Sequence, residues 1–338
     1  MAASSERYSI YGLCIETDYR FCTPLGHDRG IRDDVVRFTY RGPVRERELR
    51  RAERIWLSAE RNRYGESGVQ LYSAGARYIM RFPRVADFII SSETIECELF
   101  DRRFRYMVEI CLFGHVLAYF LELAGITVVH SGAVVVDDRA VLLVGDHGSG
   151  KSTLVASLVG SGFPLLSDDI AAVETAPGAI ICNAGPPRLK LNTEQLDRFV
   201  GSGEGFRDVH PAFDKRSVPV DALGDYHADS VPVASIYLLH RETNYEQHDS
   251  GVSIGASPVS LCRLSPGAAL VELVQHSFLA ELLDASVSRE GRLRRLARIA
   301  AQVPVKRVRF TSGYDHLARV GEAIIGDFRV GRTPSRTP

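Results

Sequence analysis

The sequence predicts an α/β fold, with a β-rich N-terminal domain over residues 1–100, a core of strand, glycine loop and helix over 101–328, and a flexible tail over 329–338. Three observations carry this reading. At 338 residues and 45% hydrophobic, the chain is long enough to bury a substantial core and to form two domains. Before residue 100 it runs in short extended or alternating pieces such as YSIYGLCIETD, VVRFTYRG, VQLYSAG and IECELF, separated by charged or glycine-containing turns. Beyond residue 125, apolar extended runs alternate with helical patterns, as in strand–helix–strand units.

The elements follow in order. The Arg/Glu-rich run PVREREL reads as a solvated turn or edge. A mainly buried helix is predicted from about Arg103 to Ala124, stopped by Gly125. The tract from Met107 is apolar, but Glu109, His115 and Glu122 interrupt it, so burial inside the protein explains it better than a membrane span. ITVVHSGAVVV and RAVLLVG are then two extended runs joined by Asp137, Asp138 and Arg139, which predicts a hairpin. Pairing Val136 near Ala140 brings His130 roughly level with Gly145.

Gly145 opens GDHGSGKS, a match to GxxxxGK[ST], the Walker A pattern. Glycines at Gly145, Gly148 and Gly150 permit close backbone approach, so the amides of Asp146, His147, Ser149 and their neighbours can point at phosphate oxygens. Lys151 can meet the terminal phosphates of a nucleotide, and Ser152 can supply an oxygen to magnesium. Thr153 opens the helix TLVASLVGSG, whose N-terminal amides add a favourable phosphate field. His147 also reads simply as a non-glycine position in the loop. The pattern implies ATP or GTP with magnesium but does not choose between kinase, hydrolase and transporter component.

PLLSDDIAAVE places Asp168 and Asp169 at the end of a short strand, on the same side of the sheet as the loop. One carboxylate can hold magnesium while the other takes a proton from an attacking hydroxyl; an acidic strand cap is the plainer alternative. Neighbours in a strand face opposite ways, so equal roles require the backbone to turn. Arg188 and Lys190 in PPRLKL read either as approaching phosphates or an acidic peptide, or as solvated. The glycine-rich VGSGEG run suggests mobility, and after it Lys215 and Arg216 read either as cations that support a transferring phosphate or as a basic loop edge.

VVHSGAVVV, VLLVGDHGSGKSTL and PLLSDDIAAVE together resemble the catalytic core of the HPr serine kinase/phosphorylase family, directly over about residues 126–175. With its β-rich front and helical tail, the chain looks closest to HPr-kinase-like relatives that accompany peptide-modification genes, including lasso-peptide kinases. The resemblance implies a P-loop core that moves the γ-phosphate of ATP to a serine or other hydroxyl of a peptide or protein. It also implies Lys151 as the phosphate-loop lysine, Ser152 as the magnesium-associated hydroxyl, Asp168 as the base, Asp169 as a metal or positioning carboxylate, and His130 as the histidine before the core glycine. The loop departs from that of bacterial HPr kinases, which carry a glutamate after the serine, and the signature of the reverse, phosphate-removing reaction is not evident. The implied enzyme is a related kinase with another acceptor. A nucleotide-binding regulator or hydrolase and a small-molecule hydroxyl kinase are the alternatives.

A formal net charge of −1 supplies no general field for nucleic acid or an anionic membrane. The six cysteines show no CxxC spacing and read as reduced thiols. MAASSERYSIYG lacks a basic segment followed by an apolar one, so a cytoplasmic protein is expected. Its oligomeric state is left open, because homo-oligomers occur among the HPr kinases it resembles.

The remaining core elements are a strand in VPVASIYLLHRE, helices in GAALVELVQHSFLAELLD and SREGRLRRLARIAAQ, a strand in VPVKRVRF and a terminal helix at YDHLARVGEAII.

Overall fold

The computed structural model describes residues 5–331 except 29–34, 63, 202–204, 211–212, 243–258, 279, 281 and 284–287. The middle of the glycine-rich 200–206 run and the tail beyond residue 331 therefore lie outside the described residues. The architecture is mixed α/β, with a β-rich sheet formed by the N-terminal part and a second, helix-covered sheet.

The first sheet has nine strands among the described residues. They are β1 (Glu6–Ile10), β2 (Leu13–Thr17), β3 (Gly26–His27), β4 (Val35–Arg41), β5 (Glu53–Leu57), β6 (Gln70–Ala74), β7 (Arg77–Phe82), β8 (Ala86–Ile90) and β9 (Thr94–Leu99), in the order β3-β1-β2-β4-β9-β8-β7-β6-β5. Ile95, Cys97 and Leu99 are buried while their neighbours in β9 are partly exposed, as strand alternation dictates. These residues share a core with Val108, Leu112, Val116, Leu117 and Phe120 of the following helix.

That helix is not uniform. α1 (Met107–Cys111) and α2 (Leu117–Leu123) are joined by a π-helical turn at Leu112–Val116, where Gly114 takes the non-helical pair φ −98°, ψ −111°. A glycine without a side chain tolerates this local widening. The two acids that argued against a membrane span are buried with partners. Glu109 accepts from the amides of Cys22 and Thr23, at 2.6 and 3.0 Å. Glu122 accepts from the amide of Val128 at 2.8 Å and from Arg295 at 2.7 Å. No helix among the described residues is long and apolar enough to cross a membrane.

The second sheet is built on β10 (Thr127–Val129), β11 (Ser131–Val136), β12 (Arg139–Val144), β13 (Leu165–Ser167), β14 (Ala171–Ala176) and β15 (Ala179–Asn183). A separate small sheet holds β16 (Arg188–Leu191), β17 (Arg207–His210) and β18 (Phe213–Pro219). The second sheet is completed by β19 (Val231–Glu242), β20 (Val259–Arg263) and β21 (Val305–Thr311). β12, β19 and β21 run parallel, and the long β19 pairs with β15 near its start and with β21 over its second half.

Both faces of this sheet are covered. Val141, Leu143, Tyr237 and Leu239 pack toward α3 (Lys151–Gly160) and the terminal α7 (Leu317–Val330), whereas Ala140, Leu142, Ile236 and Leu238 pack toward α5 (Pro266–Gln275) and α6 (Arg289–Gln302). Two buried faces explain why RAVLLVG and ASIYLL are continuous apolar runs without alternation. A short helix, α4 (Thr193–Phe199), follows β16 and carries a capping box between Asn192 and Gln195.

Several local expectations change in detail. The hairpin pairs Val136 with Arg139, one residue earlier than expected, because Asp137 and Asp138 both take positive φ (46° and 60°) and close a two-residue turn. α5 ends at Gln275 rather than continuing toward Asp284, since Ser277 bridges to Val129 and the carbonyl of His276 accepts from the amide of His130 at 3.1 Å. α7 runs to Val330, two residues into the segment expected to be tail.

Candidate active site

β12 ends at Val144 and α3 begins at Lys151, so residues 145–150 turn the chain from a central strand into a helix. Gly148 and Gly150 make that turn at φ 81° and 90°, backbone that side-chain-bearing residues rarely adopt. Gly145 is needed for a different reason: a Cβ there would lie 2.6 Å from Ser149 Oγ and 3.0 Å from the carbonyl oxygen of Leu239. Ser149 itself is turned inward, its amide donating to the carbonyl of Asp146 at 3.1 Å. Lys151 is buried and donates from Nζ to the carbonyl of Gly145 at 3.0 Å. Burial pushes its pKa down, against the pull of the Asp169 and Asp168 charges.

The strand beneath α3 is β11, and Gly132 makes the close packing possible. A Cβ on Gly132 would fall 2.3 Å from Val155 Cγ2. Ser131 stands opposite Val144 in the β11–β12 ladder, so His130, one residue earlier, is level with Gly145. β13 pairs antiparallel with β11, as β12 does, and delivers Asp168 and Asp169 to the same end.

At that end the chain turns. Asp169 takes φ 71°, which breaks the strand alternation and sends both carboxylates to one region in different surroundings. Asp168 is buried and accepts the amide of Lys190 at 2.8 Å. Burial and the neighbouring Asp169 charge push its pKa up. Asp169 is half-buried; burial alone would raise its pKa, but the Lys190 ammonium 2.6 Å away and His130 outweigh that and hold it well below the usual carboxylate range. His130 Nδ1 lies 2.9 Å from the Asp169 carbonyl oxygen and 3.4 Å from Oδ1, and burial pushes its pKa down. Two adjacent carboxylates are thus driven apart, the pKa of Asp168 upward and that of Asp169 downward.

A cavity of about 480 Å³ spans this region. Lys151, Ser152, Asp169, His130 and Lys215 line it, together with Asp146, His147, Gly148, Gly150 and Thr153 of the loop and first helical turn. Its far wall comes from the C-terminal ends of β19 and β21, through Arg241, Phe310 and Tyr314, the edge at which parallel α/β sheets bind ligands. Thr153 Oγ1 is engaged by Gln195 Nε2 at 2.7 Å.

Arg216 does not join this group. In β18 it faces away from its neighbour Lys215, and its Nε lies 3.4 Å from Asp208. Arg188 is neither solvated nor at the loop. It is buried, with its guanidinium 5.2 Å from the Phe113 ring centroid.

Lys190 emerges as the main partner of Asp169, and its alternation with Arg188 in β16 was the sequence signal available for it. Arg241, Phe310 and Tyr314 carried no local motif. Their place depends on parallel strands far apart in sequence ending together.

Among the described residues no group of three or more His, Cys, Asp or Glu is placed to hold a metal ion unaided. The Ser152 hydroxyl and Asp169 carboxylate in one cavity fit magnesium, which binds through one or two protein oxygens and completes its shell with phosphates and water.

No family model matches the chain, and no curated protein matches it. Among solved structures, the Hpr(Ser) kinase/phosphatase from Coxiella burnetii is similar over 60% of this chain and 97% of that one, at 14% identity and a TM-score of 0.32.

Proposed function

We infer that the chain is an ATP-dependent kinase that phosphorylates a serine or other hydroxyl of a peptide or protein. The observation that supports this most is the meeting, in one cavity, of a glycine loop opening a helix with the Asp169 carboxylate, whose chain neighbour Asp168 is buried behind it with its pKa driven the opposite way. A nucleotide-binding regulator needs the first feature alone.

On this reading the amides of the 145–150 loop and the α3 N-terminus hold the phosphates, and Lys151 turns from Gly145 toward them. Asp168 takes the proton of the acceptor hydroxyl as its oxygen bonds to the γ-phosphorus, the bond to the bridging oxygen breaks, and ADP leaves. Asp169, kept ionised by Lys190, and Ser152 would hold magnesium, which supplies charge neutralisation between the phosphates. Lys215 adds positive charge at the cavity wall. The sequence resemblance to peptide-tailoring relatives of HPr kinase points to a peptide acceptor, with residues 1–100 as the recognition domain and 101–328 as the catalytic one.

The test is incubation with terminally labelled ATP, magnesium and a broad set of cytoplasmic proteins and peptides, followed by mass spectrometry of any labelled acceptor. Transfer to a serine supports the reading. ATP binding without any labelled acceptor overturns it in favour of a regulator or hydrolase.

A further inference from the structure

A second cavity, of about 250 Å³, adjoins the first. Asp169 and Lys190 line this one, and Asp169 is common to both. Phe278 also links them, its ring centroid 5.7 Å from that of His130 on one side and 5.6 Å from that of His115 on the other.

The two cavities differ in chemistry. The second lies between the N-terminal sheet and the α1–π-turn–α2 helix, and Phe82, Val85, Phe104, Met107 and Ile110 line it. At its inner end, Lys190 and Asp169 are already paired with each other at 2.6 Å. His115 is uncharged near neutral pH, since burial lowers its pKa to about 4. Gly114, at the widened π turn, presents no side chain there, and a Cβ on it would meet nothing within 4 Å.

Ligand cavities generally run from roughly 300 to 1,000 Å³, so this one is small for a second nucleotide and suits one large side chain. Glu60, Arg61 and Arg84 also line the cavity, but a charged group beside Asp169 and Lys190 would lose hydration where the two charges are already paired with each other.

We propose that this cavity is the acceptor subsite and takes an apolar side chain of a peptide, within two residues of the hydroxyl that receives phosphate. The proposal rests on the kinase reading above and adds the class of substrate. The separation follows from the shared wall: a side chain here and a hydroxyl in the first cavity lie on either side of Asp169, which lines both, the reach of adjacent or next-adjacent residues in an extended peptide at about 3.3 to 3.6 Å per residue. It also gives the N-terminal sheet a role, because that sheet supplies Phe82 and Val85.

The experiment uses the full chain with ATP, magnesium and heptapeptides that have a central serine, glycine elsewhere, and one Phe, Leu, Glu or Lys at each of the two positions on either side. Phosphopeptide is followed by mass spectrometry. Phe or Leu at one of these positions is expected to raise kcat/KM at least about tenfold over glycine, and Glu or Lys is not. Val85→Trp fills the cavity and should abolish that preference, so that kcat/KM for the Phe and Leu peptides falls to the value for the all-glycine peptide measured with the same variant. Phe104→Ala opens it and should shift the preference toward Trp. Val85→Phe is run as a milder filling variant, with ATP affinity as the check that each protein is folded. Phosphopeptide formed without apolar preference, or a preference that survives filling, overturns the subsite and leaves the kinase standing. No phosphorylation of any peptide by the wild type overturns the kinase reading itself.

Discussion

Replacing Asp168 by Asn separates the charge of this side chain from its shape. The amide oxygen can still accept from the amide of Lys190, now 2.8 Å from Oδ2, so β16 should keep its place. What is lost is the proton acceptor that the proposed kinase mechanism requires. Removing a general base typically costs 10²- to 10⁴-fold in rate, or about 3 to 5 kcal/mol of barrier. We predict a fall in kcat within that range, with ATP affinity changed less than about threefold.

Stability should move the other way. Burial and Asp169 raise the folded pKa of Asp168, so the folded state binds more protons than the unfolded state between the ordinary carboxylate pKa and the folded value. Stability due to this group is therefore present at low pH and is lost as pH rises through that window. Asp168→Asn takes away the group whose charged form burial penalises, so Tm at neutral pH should not fall. The wild-type acid limb of kcat/KM should also lie above the ordinary carboxylate range and be absent from the variant. Calorimetry, ATP titration and acceptor phosphorylation measure these three quantities. Unchanged transfer would refute the role of Asp168 as base, and a parallel loss of ATP binding and Tm would show that the substitution acts through the fold.

Lys151→Met keeps the buried stem and removes the ammonium. ATP affinity by calorimetry should fall roughly 10- to 100-fold, as for a lost charge-assisted hydrogen bond. Because burial lowers the folded Lys151 pKa, its charge costs stability below that pKa, and Tm at pH 7 should not drop. Gly132→Ala puts a methyl 2.3 Å from Val155 Cγ2 and should cost about 1 to 3 kcal/mol in urea denaturation, with part restored by Val155→Ala. Lys190→Ala removes the ammonium 2.6 Å from Asp169. The depressed Asp169 pKa contributes stability that is present at neutral pH and lost only as pH falls through the folded value. The variant should therefore lose stability at a higher pH, readable as a displaced acid-unfolding midpoint. Its transfer rate should also fall.

Much of the core was legible because its signals are local. GDHGSGKS carries its own turn chemistry, Asp137 and Asp138 announce a hairpin, and the unbroken apolar runs of β12 and β19 follow from burial on two faces. The level of His130 with Gly145 needed only the hairpin register, and it survived a one-residue error because the turn shortened without changing which ends meet. Lys215 and Arg216 were read as one unit, whereas strand alternation in β18 turns the two side chains to opposite faces.

Residue order alone determined the loop, the helix after it, the strand that brings Asp168 and Asp169 to the loop's end of the sheet, and the covered α/β core. Tertiary structure decided how unlike those two carboxylates are. Burial of Asp168 and the ammonium of Lys190 beside Asp169 are effects of space, and the positive φ of Asp169 that separates their surroundings is held by contacts twenty residues and more away. Tertiary structure likewise placed an apolar cavity against the same ion pair, from strands and a helix whose sequences give no sign of it. A side chain's periodicity tells which face it occupies; which charges and cavities share that face depends on segments distant in sequence.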